Sequence, residues 1–181
     1  MASASPRRKQ LLGEFFPEFA ILPAVGEETV DGLLSPQALV CALATQKAEE
    51  VASRDEAKGK AVVGADTVVA LDGEVLGKPT SKEHAAKMLR ALSGRVHEVF
   101  TGVCIVLPSG ETLTQADCTR VTFEELTDEQ IAAYVETGSP MDKAGAYGIQ
   151  DGGLVKGIEG SFSNVVGFPC EMFANMLKKI K

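Results

Sequence analysis

Positions 3–8 read Ser3-Ala4-Ser5-Pro6-Arg7-Arg8, which sets two hydroxyls and a proline beside two adjacent guanidinium groups. Ser5 suits an N-cap and Pro6 the first helical position, where a missing N–H costs nothing, so a helix is expected to begin here with free backbone donors. Arg7 and Arg8 would fall in its first turn, where the macrodipole disfavours cations. An anionic, phosphate-bearing ligand explains them better than helix stability does. A lone Arg pair would read as a solvated basic segment; the residues that follow argue otherwise.

Asp66 stands in Gly64-Ala65-Asp66-Thr67 at the end of an apolar run, among small neighbours that leave room for a ligand, where α/β sheets commonly place their sites. A turn-forming Asp bonded to its own backbone fits the same pattern. Glu27 and Glu28 lie between the apolar segment 19–25 and the next helix, within reach of the same sheet end, although such pairs are usually solvated. Lys47 falls on or near the apolar stripe of that helix. Lys78, between Gly77 and Pro79, sits on a stiffened connection suited to reaching over a phosphate. The segment 142–150, Asp-Lys-Ala-Gly-Ala-Tyr-Gly-Ile-Gln, mixes charges and glycines as no regular element prefers, so its backbone can approach a ligand closely. Its last residue, Gln150, offers one acceptor and two donors, enough to read the edge of a base.

Other chemistries are not supported. Ser3 and Ser5 lack a G-x-S-x-G elbow, no G-x-x-x-x-G-K-[ST] phosphate loop occurs, and His84 and His97 are too poorly accompanied for a metal site.

These residues need a frame. Ser5-Pro6 and Ser35-Pro36 predict two helices, the second running to Arg54. Residues 61–65 and 68–71 read as short buried strands interrupted by Asp66 and Thr67, with Asp72-Gly73 turning into a further strand, 74–76. Thr80 with Glu83, and Thr127 with Gln130, form capping boxes for helices through Leu92 and Val135. Residues 96–107 and 111–123 alternate around Pro108-Ser109-Gly110 as two long antiparallel strands, and a last helix spans about 169–179. The fold class is α/β: a mixed twisted sheet flanked by helices, residues 1–181 forming one domain of two lobes about a cleft, the default ligand site.

The 181 residues, 45% hydrophobic and 24% charged, suffice for a buried core. A net charge of −7 argues against non-specific binding to nucleic acid or an anionic membrane, so phosphate-binding cations must be locally concentrated. Four dispersed cysteines without a C-x-x-C pair, and no signal-like segment, point to a reducing cytoplasm. No apolar stretch approaches the roughly 18 residues that span a bilayer.

Taken together, the motifs at 3–8, 64–67, Leu-Gly-Lys-Pro at 76–79, 142–150 and Gly-Ser-Phe-Ser-Asn-Val-Val-Gly at 160–167 resemble the Maf family of nucleoside triphosphate pyrophosphatases. Five separated motifs in order make the likeness specific. The resemblance implies an inosine-triphosphatase-like α/β fold and a cytoplasmic enzyme, often a homodimer. It also implies that a nucleoside triphosphate is hydrolysed to monophosphate and pyrophosphate with a divalent cation. Arg8, Thr67 and Gln150 resemble the specificity positions of the subgroup that prefers dTTP and UTP; the subgroup that prefers 7-methyl-GTP typically carries a tryptophan, and this chain has none. By the same likeness Asp66 takes the catalytic acid position, and Ser3, Arg7, Glu28, Lys47 and Lys78 the further polar site. Mg²⁺ or Mn²⁺ would be held by Glu28 and Asp66, hard oxygen donors suited to those ions. The family pattern has apolar residues ahead of Ser3 as a first strand; here Met1 and Ala2 stand in that place. Two other readings stay open at this point: a nucleotide-binding regulator of septum formation with little turnover, and a phosphatase for other phosphoesters.

Overall fold

Ser5 and Ser35 each accept a hydrogen bond from a backbone N–H one turn ahead, Arg8 and Ala38 respectively, and each is followed by proline. They open α1 (Pro6–Gly13) and α2 (Pro36–Ala52), as the capping pattern predicts. The structure is a computed structural model that describes residues 1–26 and 34–180. Glu27 and Glu28 lie outside the described residues.

The strands are β1 (Val62–Leu71), β2 (Glu74–Leu76), β3 (Val96–Val106), β4 (Thr112–Phe123) and β5 (Val155–Glu159), in the spatial order β2-β1-β3-β4-β5. Helices α3 (Lys82–Leu92), α4 (Asp128–Glu136), α5 (Phe162–Val166) and α6 (Cys170–Leu177) complete the α/β fold. Where the sequence reading has a mixed sheet, every described strand pairing is antiparallel. β1–β2 and β3–β4 are hairpins, and Asp72 and Gly73, both at positive φ, form the tighter turn.

Two local expectations are corrected. β1 is not interrupted at Asp66 and Thr67: both stay in the ladder, opposite Gly102 and Thr101 of β3. The N-cap of α3 is Ser81, whose hydroxyl accepts from His84 N–H, rather than Thr80. With Ser81 as N-cap the third helical residue is His84, so the cap is a single hydrogen bond and the expected Thr80–Glu83 box does not form, while the helix itself stands as read. The box at Thr127 and Gln130 forms as read.

Two glycines bring α2 down onto the sheet. A Cβ on Gly64 would fall against the Ala44 carbonyl oxygen, and one on Gly102 against that of Val40, so neither position admits a side chain at this packing distance. Around this contact Ala44, Ala48 and Val51 of α2 pack on Val62, Cys104 and Val106. The other face of β1 and β3 packs through Val63, Ala65, Val103 and Ile105 on Leu12, Phe168 and Phe173. A third cluster joins α3 and α4 to the sheet through Leu89, Leu92, Ile131 and Phe123. Ahead of α1, Met1 and Ala2 are buried; Ala2 N–H donates to Val63 O at 2.8 Å and Leu22 N–H to Met1 O at 3.0 Å. These two residues thus do part of a strand's work beside β1. Among the described residues no helix is long and apolar enough to cross a membrane.

Candidate active site

β2 pairs with Val69–Leu71, so among the described residues the outer edge of β1 has no strand partner over Asp66 and Thr67. Successive side chains of a strand point to opposite faces, yet at an uncovered edge both faces open into one space. That space is a cleft of about 460 Å³, inside the ~300–1,000 Å³ range usual for small-molecule sites.

The cleft gathers most of the residues singled out by sequence: Arg7, Arg8, Lys47, Asp66, Thr67, Lys78 and Gln150 all line it. Ser3 stands behind the lining, where its Oγ accepts from Arg8 Nη1 at 3.4 Å. Glu28, expected as a metal ligand, lies outside the described residues.

Asp66 is 8% exposed, and Lys47 Nζ on α2 donates to its Oδ1 at 2.5 Å. A nearly buried carboxylate costs too much unless it is paired. The glycine contacts that lower α2 onto the sheet are what bring this lysine into reach. On the opposite face of β1, Arg8 is held by acceptors of the protein: its Nε donates to Gly167 O at 2.9 Å and its Nη2 to Thr67 Oγ1 at 2.9 Å. Arg8 is therefore a fixed element of the wall, aimed by the loop after α5 and by β1. Arg7 lies 3.6 Å from Asp142 across the cleft. Lys78 and Gln150 are exposed at its rim.

Sequence reasoning missed several contributors. Asp142 and Lys143 line the cleft, and Lys143 Nζ donates to Ser139 O at 2.5 Å and to Asp142 Oδ1 at 2.9 Å. Burial pushes the Asp142 carboxyl up, but the hydrogen bond and charge of Lys143, with the charge of Arg7, outweigh it and hold the group below the usual carboxylate range. The ionic pair at the head of the 142–150 run was the available signal. Tyr147, also in the lining, is anchored by His97, whose Nε2 is 2.7 Å from the tyrosine oxygen. Both rings are buried; burial raises the Tyr147 hydroxyl and lowers His97 to about 4. Nothing in the sequence links these two residues.

Among the described residues no group of three or more His, Cys, Asp or Glu side chains is arranged to hold a metal. Mg²⁺ in nucleotide sites is commonly held by one or two carboxylates together with substrate phosphates, so Asp66 on the cleft wall fits one place in such a set.

A cleft at a sheet edge, with two charge-paired carboxylates, Asp66 and Asp142, among a larger number of cations, has the charge balance suited to a polyanionic small molecule. The chain matches the family described as Maf-like protein over residues 1–180 and belongs to that family. A relative from Thermococcus onnurineus, named dTTP/UTP pyrophosphatase, is 53% identical over 175 residues, covering 95% of this chain and 92% of the relative. Relatives of the same name from Moorella thermoacetica and Bacillus anthracis are 51% and 45% identical, covering 98% and 99% of this chain and 92% and 93% of the relatives. A solved nucleoside-triphosphatase / dITP/XTP pyrophosphatase from Mycobacterium abscessus superposes with a TM-score of 0.44 at 17% identity, covering 69% of this chain and 73% of that one.

Proposed function

We propose that this chain is a nucleoside triphosphate pyrophosphatase that hydrolyses dTTP and UTP to the monophosphate and pyrophosphate. One observation carries the reading: in a chain of net charge −7, the cleft lining holds five cationic side chains, Arg7, Arg8, Lys47, Lys78 and Lys143, against the carboxylates Asp66 and Asp142. That is the local concentration of positive charge that a triphosphate requires. The names of the relatives add the reaction and the base.

In this reading the triphosphate lies along the cations, with its α-phosphorus presented to a water beside Asp66. The Asp66 carboxylate takes a proton from that water as its oxygen bonds to phosphorus. The α–β anhydride bond breaks, and pyrophosphate leaves with the electron pair. Arg7, Lys47 and Lys78 stabilise charge on the phosphates and on the leaving group; charge-assisted hydrogen bonds of this kind contribute about 1.5–3 kcal/mol each. A divalent cation, Mg²⁺ or Mn²⁺, would be held by Asp66 together with Glu28 and would supply further neutralisation of phosphate charge. Arg8, Thr67 and Gln150 face the base, and Ser3 steadies Arg8.

Residues 1–181 act as one two-lobed domain, and the chain works as a homodimer in the cytoplasm. The reducing compartment is supported by Cys41, Cys104, Cys118 and Cys170 all being free.

The test is pyrophosphate release from a panel of ordinary and modified triphosphates, with Mg²⁺ or Mn²⁺ present and then chelated. Pyrophosphate from dTTP and UTP ahead of the rest is the expected result. Binding without product would mark a regulator instead, and orthophosphate as first product a phosphatase. Light scattering checks the dimer.

A further inference from the structure

Thr67 of β1 and Thr101 of β3 are directly opposite in the ladder, and their hydroxyl oxygens are 3.0 Å apart. Their surroundings fix where the protons lie. Thr101 Oγ1 is 3.0 Å from the carbonyl oxygen of Asn164. A carbonyl has no hydrogen to give, so at this separation the proton between the two oxygens is that of Thr101. Having spent its one proton there, Thr101 can only accept from Thr67. Arg8 Nη2, 2.9 Å from Thr67 Oγ1, is a donor without acceptor capacity and takes one of the Thr67 lone pairs. The Thr67 hydroxyl therefore donates inward and accepts from Arg8, which leaves one further lone pair on a residue that lines the cleft.

This order is protected. Thr101 and Asn164 are both 0% exposed, so water does not replace either partner. Asn164 is anchored through Nδ2 to Val99 O at 3.0 Å and to Thr119 Oγ1 at 2.9 Å, and its carbonyl also accepts from Gly167 N–H at 3.0 Å.

We propose that Thr101, by fixing the direction of the Thr67 proton, makes Thr67 an obligate acceptor beside the Arg8 donors, and so selects uracil and thymine against cytosine. The inference rests on the pyrophosphatase reading above. Uracil and thymine carry a donor at N3 flanked by two carbonyl acceptors, which complements one fixed acceptor next to a guanidinium. Cytosine carries an acceptor at N3, and against Thr67 it would set lone pair on lone pair in a partly desolvated site. A threonine hydroxyl free to rotate serves either base and discriminates neither. It is the buried partner on β3 that turns Thr67 into a selector, which makes Thr101 a positioning residue without contact with substrate.

The test compares kcat/KM for UTP and CTP in the wild type, Thr101→Val and Thr101→Ser. Valine keeps the shape, and Asn164 O keeps Gly167 N–H, but the Thr67 proton is released to turn outward. The UTP-to-CTP ratio is expected to fall at least tenfold in Thr101→Val and to return in Thr101→Ser, whereas a merely structural role would lower both substrates together. A ratio within twofold of wild type in a folded valine variant overturns the inference and leaves the pyrophosphatase reading standing. A wild type that turns over neither dTTP nor UTP overturns both. Should the valine variant not fold, neutron diffraction on the wild type decides: a Thr67 deuteron between the two threonine oxygens supports the proposal, and one directed into the cleft overturns it.

Discussion

Lys47, on the second helix, holds the carboxylate of Asp66 at 2.5 Å from above the strand that carries it, and both side chains are largely withdrawn from water, at 15% and 12% exposure. Removing one partner of such a pair leaves a charge stranded where solvent reaches it poorly. Thr67, the next residue on the strand, faces the other way onto Arg8. One dipeptide on the edge strand thus presents a carboxylate and a hydroxyl to the same cleft.

Lys47→Met is expected to lower stability by about 3 kcal/mol, because it leaves the Asp66 carboxylate without its lysine. Lys47→Met with Asp66→Asn should recover part of that loss. Denaturant unfolding of the two single variants and the double gives the coupling, expected above about 1 kcal/mol for groups in contact. Strict additivity would show that the pair contributes nothing to the fold.

Asp66→Asn preserves the size of the side chain and removes its basicity. Pyrophosphate release from UTP should fall by about 10²–10⁴-fold, the range that a positioned general base supplies, while nucleotide binding by calorimetry persists. A folded variant with near-normal turnover would remove Asp66 from the chemistry.

What the sequence made legible follows from how far each signal reaches. Ser5-Pro6, Ser35-Pro36, the Thr127 box and Asp72-Gly73 are local devices whose energetics are complete within a few residues, and the elements they predict are present. Asp66 read as a break in β1 because an acid inside an apolar strand is unfavourable alone; the lysine that offsets it comes from another element. The antiparallel sheet depends on which strands meet, and that is not encoded in any one of them. The site residues could be named because their types are unusual for their positions. Thr101 was passed over, and His97 set aside, for the opposite reason: a threonine in a strand or a lone histidine is ordinary until its partner, such as Thr67 or Tyr147, is brought to it.

The close seat of α2 predicts an effect at a residue with no chemistry of its own. Gly102→Ala would drive a methyl group into the backbone of α2 at Val40. Overpacking of this kind costs about 1–3 kcal/mol, and the relief available is to lift the helix, carrying Lys47 away from Asp66. The variant should lose at least tenfold in kcat as well as melting earlier, which thermal unfolding and steady-state kinetics at a permissive temperature separate. Unchanged kcat would show that Lys47 reaches Asp66 regardless of the helix seat.

Gln150 lies exposed on the rim of the cleft, at the end of the run that Tyr147 and Lys143 tether. Gln150→Ala should change the ranking of triphosphates more than fivefold in kcat/KM while leaving inhibition by pyrophosphate within twofold, because it touches no phosphate in the proposed pose. An unchanged ranking would exclude base reading by this side chain.

His97 gives the fold a dependence on pH whose sign follows from its burial. Desolvation lowers its pKa from 6.5 to about 4, and its ring is 2% exposed against Tyr147 and Phe123. Between those values the unfolded chain binds a proton that the folded chain does not, so acid favours unfolding. The contribution of neutral His97 is fully present above about pH 6.5, declines as the pH falls towards about 4, and changes no further below that; across the window it amounts to about 3 kcal/mol. His97→Gln removes the titrating group, although it also disturbs the Tyr147 contact and so lowers stability at neutral pH. The informative quantity is therefore the slope. The difference in unfolding free energy between wild type and variant should shrink as the pH is lowered from 7 towards 4.5, and a difference constant over that range would show that His97 titrates alike in the folded and unfolded chain.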